Sequence, residues 1–85
     1  MKYQDVCDYA TENEIDITML ESPKYENSII GISHDNRVIY DLELMIKELM
    51  QEDNISYKEA LEYIEYNVIR ALSYFDNAPI ILYTK

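Results

Sequence analysis

The sequence contains few of the residues from which catalytic and metal sites are commonly built. Its 85 residues include one cysteine, one histidine, one glycine and no tryptophan. Because Cys7 stands alone, no internal disulfide can form, and the Cys and His ligands of a structural zinc site are missing. With Gly31 as the only glycine, the chain has no glycine-rich phosphate loop. These absences predict a protein that is not an enzyme and that needs no cofactor or metal.

The remaining candidates for catalysis each have a simpler interpretation. His34 is adjacent to Asp35 in a predicted turn, where an exposed turn residue is favoured over a catalytic one. Cys7 lies on the apolar face of a predicted helix, which favours a small core residue over a nucleophile. Acidic residues three apart on a helix are typical of a solvated face, so a catalytic carboxylate pair is the less favoured alternative.

Basic residues are scarce as well. Seven Lys and Arg stand against seventeen Asp and Glu, which gives a formal net charge of −10. Such a charge repels phosphate backbones and anionic membrane surfaces, because nucleic-acid binding requires cations that replace condensed counterions. We therefore expect no direct contact with nucleic acid or membrane, and a protein partner with a basic surface. The alternative, that the charge only maintains solubility, stays open.

Long hydrophobic runs are also absent. The longest apolar run, residues 78–83, is too short to span a bilayer, and the first residues lack the apolar core of a signal peptide. A hydrophobic content of 48% and a length of 85 residues fit one domain, residues 1–85, around one core. A cysteine-poor domain without disulfides is ordinary in a reducing compartment, so we expect a cytoplasmic protein.

Apolar spacing in the first half predicts one helix and three strands. Helical spacing runs from residue 2 to about 13, and strand-like alternation follows from Ile15 to Met19. Strands at 28–33 and 37–40 flank a turn that contains Asp35 and Asn36. If Ser33 pairs with Val38 across this hairpin, Gly31 lies opposite Tyr40 and makes room for its ring.

The second half reads as two helices and a final strand. Asp41 is in position to cap a helix from about Leu42 to Glu52. Ser56 and Glu59 form a capping box for the next helix, which should end near Asp76 and Asn77 before a strand at 80–83. The predicted core face of this helix is Ala60, Leu61, Ile64, Val68, Ala71, Leu72 and Phe75. The order α-β-β-β-α-α-β predicts an α+β domain whose antiparallel, hairpin-based sheet is packed by helices.

The chain has nine tyrosines and no tryptophan, and Tyr63, Tyr66 and Tyr74 lie near the acidic residues of the predicted third helix. Tyrosine can be half-buried and still offer its hydroxyl to a partner, which suits an interface. The candidate interface consists of Glu59, Glu62, Tyr63, Glu65 and Tyr66, with Glu43 and Glu48 on the exposed side of the second helix. The alternative, in which most of these rings cover the edge of the core, stays open.

Two polar residues interrupt the inner part of the third helix. Asn67 must satisfy its amide, for which a strand edge or loop backbone is the expected partner, and Arg70 is expected to pair with an acid such as Asp41 or Asp76. We expect these residues to organise the fold, with ligand recognition as the alternative.

Five segments carry a resemblance to known proteins: Arg37 to Asp41, Met45-Ile46, Glu59-Ala60, the helix segment Tyr66-Asn67-Val68-Ile69-Arg70-Ala71-Leu72, and Ala78-Pro79-Ile80-Ile81. Together they resemble a family of small, uncharacterised proteins from phages and prophages of Firmicutes. The resemblance implies a phage or mobile-element setting and carries no established activity.

Two functional hypotheses follow from charge, tyrosine content and setting. The first is a small acidic protein-binding module that inhibits a host nucleic-acid-binding or defence protein, such as a CRISPR-type nuclease, by acidic mimicry of nucleic acid. The alternative is a structural or accessory phage protein that forms a homodimer, either through its hairpin or through the strand at residues 80–83.

Overall fold

The fold is described by a computed structural model that covers residues 1–21 and 23–83. Within these residues, three α-helices and two short 3-10 segments surround a three-stranded sheet. The helices are α1 (Tyr3–Glu12), α2 (Leu42–Asp53) and α3 (Tyr57–Asn67), the strands are β1 (Ile29–Ile32), β2 (Val38–Asp41) and β3 (Ile80–Leu82), and the 3-10 segments are Glu26–Ser28 and Ile69–Tyr74. None of the described helices is both long and apolar enough to cross a membrane.

The sheet is mixed, with β2 in its centre. β1 pairs with β2 antiparallel through a hairpin, whereas β3 pairs with β2 parallel after the chain has crossed over through α2 and α3. Val38 and Tyr40 of β2 are fully buried. The predicted α+β fold class and the hairpin are therefore confirmed. The expectation of an antiparallel sheet is wrong for β3, because the crossover through α2 and α3 returns the chain in the same direction as β2.

The prediction of a first strand from Ile15 to Met19 is wrong. Residues 15–20 form no regular secondary structure, although Ile17, Met19 and Leu20 are half-buried against the core. Side-chain contacts hold the segment in place: the Leu20 backbone N–H donates to the Tyr40 hydroxyl at 3.1 Å. The segment therefore lies against the core without a strand ladder, and the order of regular elements is α-β-β-α-α-β.

The hairpin turns one residue earlier than the expected pairing of Ser33 with Val38. Ser33 pairs with Arg37 instead, since its N–H donates to the Arg37 carbonyl at 2.8 Å. Asn36 adopts a left-handed conformation with φ of 63°, as in a three-residue loop built on a type I turn. Ile32 consequently lies opposite Val38.

Gly31 does not make room for the Tyr40 ring. It lies opposite Ile39, and a β-bulge then places Ile29 opposite Tyr40. A Cβ atom built on Gly31 would meet no atom within 4 Å. The predicted packing role of this glycine is therefore wrong, because the shorter loop shifts the register of the whole hairpin.

The starts of α2 and α3 agree with the sequence signals. The Asp41 carboxylate accepts from the Leu44 N–H at 3.0 Å, which caps α2. At α3, the Ser56 hydroxyl accepts from the Glu59 N–H at 3.2 Å and the Glu59 carboxylate accepts from the Ser56 N–H at 3.4 Å. Both predicted caps are confirmed.

α3 ends earlier than expected, at Asn67. The Asn67 side-chain amide donates to the Tyr63 carbonyl at 3.0 Å, and the β-branched residues Val68 and Ile69 follow. The chain continues as the 3-10 segment Ile69–Tyr74, so its side chains rotate away from the face predicted for a continuous helix. Phe75, assigned to the core face by the helical spacing, is in fact 52% exposed.

The core lies between the sheet and the three helices. Its buried apolar residues are Val6, Tyr25, Ile29, Val38, Tyr40, Met45, Ile46, Leu49, Ala60, Ile64 and Val68. Each α-helix contributes residues to this list. Of the predicted face, Leu61 packs against this core, and Ala71 and Leu72 are half-buried.

Candidate interaction surface

One face of α3 packs against the core, and the residues on its opposite face are therefore exposed to solvent. Ala60 and Ile64 are fully buried at a spacing of one helical turn. Glu59, Glu62 and Glu65 are exposed, as are Tyr63 and Tyr66. An amphipathic helix with this spacing presents a polar stripe that no other described element covers.

The exposed residues of α3 and of the chain that follows it line one shallow groove, hereafter the acidic groove. Its lining residues are Glu59, Glu62, Tyr63, Glu65, Tyr66, Asn67, Ile69 and Arg70. All five predicted interface residues of α3 are therefore brought together on one surface. Among the described residues that line the groove, three are carboxylates and one is a cation, so its charge is negative.

An arginine already lies on an aromatic ring in this groove. The guanidinium of Arg70 is 4.8 Å from the centre of the Tyr66 ring, and Tyr66 is 69% exposed. This geometry is a cation–π contact at the surface. The expected pairing of Arg70 with Asp41 or Asp76 is not found, since the one ion pair between described side chains joins Arg37 and Asp35 at 3.9 Å.

Asn67 lies at the end of α3 and is exposed. Its side-chain amide bonds to the Tyr63 carbonyl of its own helix, instead of to a strand edge or loop. The amide therefore helps to end α3 where the chain turns into the 3-10 segment.

Glu43 and Glu48 of α2 do not join the acidic groove. Glu43 accepts a hydrogen bond from the Tyr57 hydroxyl at 2.7 Å, and this bond is the main reason why the pKa of Tyr57 is raised to about 12. Glu48 accepts from the Asn27 N–H at 2.9 Å, and partial burial raises its pKa. Both carboxylates are half-buried and tie α2 to neighbouring elements.

A second concavity, hereafter the apolar cleft, was missed by the sequence interpretation. It has a volume of about 410 Å³ and lies between residues 18–21 and 23–25 on one side and residues 67–79 on the other. It is lined by Thr18, Met19, Leu20, Glu21, Pro23, Tyr25, Asn67, Val68, Ala71, Leu72, Phe75 and Pro79. Most of these side chains are apolar, and they come from segments that are far apart in the sequence, so local sequence patterns do not predict the cleft.

The residues considered for catalysis remain separate features of the surface. His34 is exposed in the hairpin turn, and Cys7 is half-buried on α1. Over residues 1–21 and 23–83, no group of three His, Cys, Asp or Glu side chains could hold a metal ion.

Comparisons of this chain with models of protein families, with curated proteins and with solved structures found no match. The choice among functions therefore depends on the charge, shape and contacts of the acidic groove and the apolar cleft.

Proposed function

We propose that the protein is a non-enzymatic binding module whose acidic groove docks on a basic surface of another protein. The observation that carries this proposal is the convergence of three carboxylates and two exposed tyrosines on one uncovered face of α3. The net charge of −10 adds a long-range field that accelerates encounter with a basic surface. The tyrosine rings supply contact area at the same place.

The spacing of the carboxylates supports mimicry of a nucleic-acid strand. Glu59, Glu62 and Glu65 are three residues apart, and an α-helix rises about 4.5 Å over three residues. One strand of duplex DNA carries a charge about every 3.4 Å along the helix axis, so the two charge densities are similar. A basic channel that normally holds DNA or RNA would therefore attract this face of α3.

In the phage setting that the sequence resemblance implies, the partner is a host nucleic-acid-binding or defence protein in the cytoplasm. The most specific partner in this proposal is a CRISPR-type nuclease, since its guide and target duplex occupy a positively charged channel. Inhibition would then be competitive with nucleic acid.

The test combines charge variants with competition. The variant Glu59→Gln/Glu62→Gln/Glu65→Gln removes three charges from the groove, and glutamine can still serve in the capping box. The control Glu12→Gln/Glu14→Gln/Asp16→Asn removes three exposed charges near the end of α1, so both variants have the same net charge.

A nucleic-acid-binding partner isolated from the host is given labelled DNA or RNA, and each form of the protein is added as competitor. We expect the parent and the control to displace the nucleic acid and the groove variant to be at least about tenfold weaker, with competition that declines as salt rises. Equal weakening of both variants would show that only overall charge matters. No displacement by the parent would contradict mimicry.

A second candidate function is self-association through a sheet edge. Within the described part of the chain, β3 is an outer strand of the sheet, and Leu82 and Tyr83 at its end are exposed. Such an edge can pair with that of a second copy across a two-fold axis. Light scattering at increasing concentration tests this, because a mass that stays monomeric would exclude it.

A further inference from the structure

We propose that the acidic groove and the apolar cleft form one two-part docking site for a basic amphipathic segment of the partner protein. An apolar side chain of that segment enters the cleft, while Arg or Lys residues beside it meet the carboxylates of the groove. This inference rests on the proposed function, because it names the chemistry of the partner that the same surface accepts.

The cleft has the size and lining of a site for an apolar side chain. Its volume of about 410 Å³ lies in the range of roughly 300–1,000 Å³ typical of ligand pockets. Leu72 and Met19 in its wall are only half-buried, and Phe75 is 52% exposed. Covering these side chains would remove further apolar surface from water, which favours an apolar occupant.

The two parts of the site meet at one residue. Asn67 lines both the groove and the cleft. One helical segment of a partner, with an apolar residue and a cation one turn apart, could therefore contact both parts at once.

The negative charge of the docking site determines which kind of partner segment it can bind. Three carboxylates line the groove, and Glu21 lies in the cleft wall, against Arg70 as the cation among the described lining residues. The Arg70 contact with Tyr66 demonstrates that this ring face accepts a guanidinium. A second copy of this chain, which carries −10 itself, would bring two acidic surfaces together.

The experiment uses two synthetic helical peptides with the same number of Arg residues. One carries Leu on a single face, and the other carries Ser at the same positions. Binding to the full chain is measured by fluorescence anisotropy. We expect the Leu peptide to bind about tenfold more tightly than the Ser peptide. This ratio corresponds to roughly half of the free energy gained by complete burial of one leucine side chain.

Neighbouring aromatic residues provide matched variants of the protein. Phe75→Ser opens the wall of the cleft, whereas Tyr74→Ser alters a side chain that is 87% exposed and does not line the cleft. We expect Phe75→Ser to abolish the preference for the Leu peptide and Tyr74→Ser to keep it. The variant Glu62→Gln/Glu65→Gln should weaken the binding of both peptides by a similar factor.

Several outcomes would overturn the two-part site. Equal binding of both peptides, or a Leu preference that survives Phe75→Ser, would remove the cleft from the site and leave the acidic groove as the proposed interface. If neither peptide bound the parent, the proposed function would fail as well. A cleft that binds a small apolar dye, while the Leu peptide fails to compete for it, would indicate a separate small-molecule pocket.

Discussion

Two buried tyrosines should respond in opposite directions when their hydroxyls are removed. Tyr40 is fully buried in β2, and its hydroxyl accepts the Leu20 N–H at 3.1 Å. Tyr25 is 1% exposed, but its hydroxyl has no hydrogen-bond partner among the described residues. Replacement by phenylalanine keeps both rings in place and therefore isolates the contribution of each hydroxyl.

The hydrogen-bond partners determine the expected magnitudes. Tyr40→Phe leaves the half-buried Leu20 N–H without its acceptor, which should lower the free energy of unfolding by about 1–2 kcal/mol. In a domain of this size that corresponds to a fall in Tm of roughly 4–16 °C. Tyr25→Phe removes a buried hydroxyl that lacks a partner, so stability should be unchanged or should rise by up to about 1 kcal/mol.

Thermal and denaturant melts of the two variants measure these effects, and amide hydrogen exchange at Leu20 locates the first one. Tyr63→Phe, at an exposed position of α3, is the control and should change stability by less than about 0.5 kcal/mol. If Tyr40→Phe were as stable as the parent, or if Tyr25→Phe cost as much as Tyr40→Phe, the role assigned to these hydroxyls would be refuted.

The raised pKa of Tyr40 predicts that the protein loses stability at alkaline pH. Burial raises the pKa of Tyr40 from 10.0 to about 12. A group whose pKa is higher in the folded state contributes stability that is fully present below its unfolded pKa, here 10.0, and is lost as pH rises through the folded value. The difference in stability between the parent and Tyr40→Phe should therefore shrink between about pH 10 and 12. A difference that stays constant over this range would contradict the prediction.

Three further substitutions test the helix ends and the groove. Ser56→Ala should cost about 1 kcal/mol in a thermal melt, because it removes the acceptor for the Glu59 N–H; an unchanged Tm would contradict the cap. Leu72→Ala should cost about 1–2 kcal/mol, less than the 2–5 kcal/mol of a fully buried leucine, since Leu72 is half-buried. Arg70→Met should cost only about 0.5 kcal/mol, because its contact with Tyr66 is exposed, and should strengthen binding of an Arg-rich peptide; weaker binding would show that Arg70 itself contacts the partner.

The parts of the fold that the sequence predicted well are those determined by neighbouring residues. The caps at Asp41 and Ser56 satisfy backbone N–H groups three residues away, so the sequence alone contains all of the interacting groups. The exposed face of α3 is likewise a consequence of helical spacing within eleven residues.

The errors occurred where distant residues decide the structure. The apolar residues from Ile15 to Met19 indicate a half-buried segment, but a segment forms a strand only if another strand lies beside it. Here the Leu20 N–H donates instead to the Tyr40 hydroxyl. The hairpin loop is a local exception: a positive φ at Asn36 fits both a three-residue loop and a longer one, so the sequence does not determine the loop length. The apolar cleft joins segments far apart in sequence, as the hydrogen bond from the Thr18 hydroxyl to the Asp76 carbonyl illustrates.

The end of α3 determines the relation between the two parts of the proposed docking site. Helical spacing beyond Asn67 predicted that Leu72 and Phe75 face the core. Because the chain changes to a 3-10 segment, Phe75 emerges into solvent while Val68 remains buried. Asn67, whose amide bonds to the last turn of α3, lies at this change of direction and lines both concavities. Asn67→Ala should therefore change the Leu-peptide preference more than it changes binding of the Ser peptide, since it acts on the shape of the cleft and leaves the carboxylates of the groove in place.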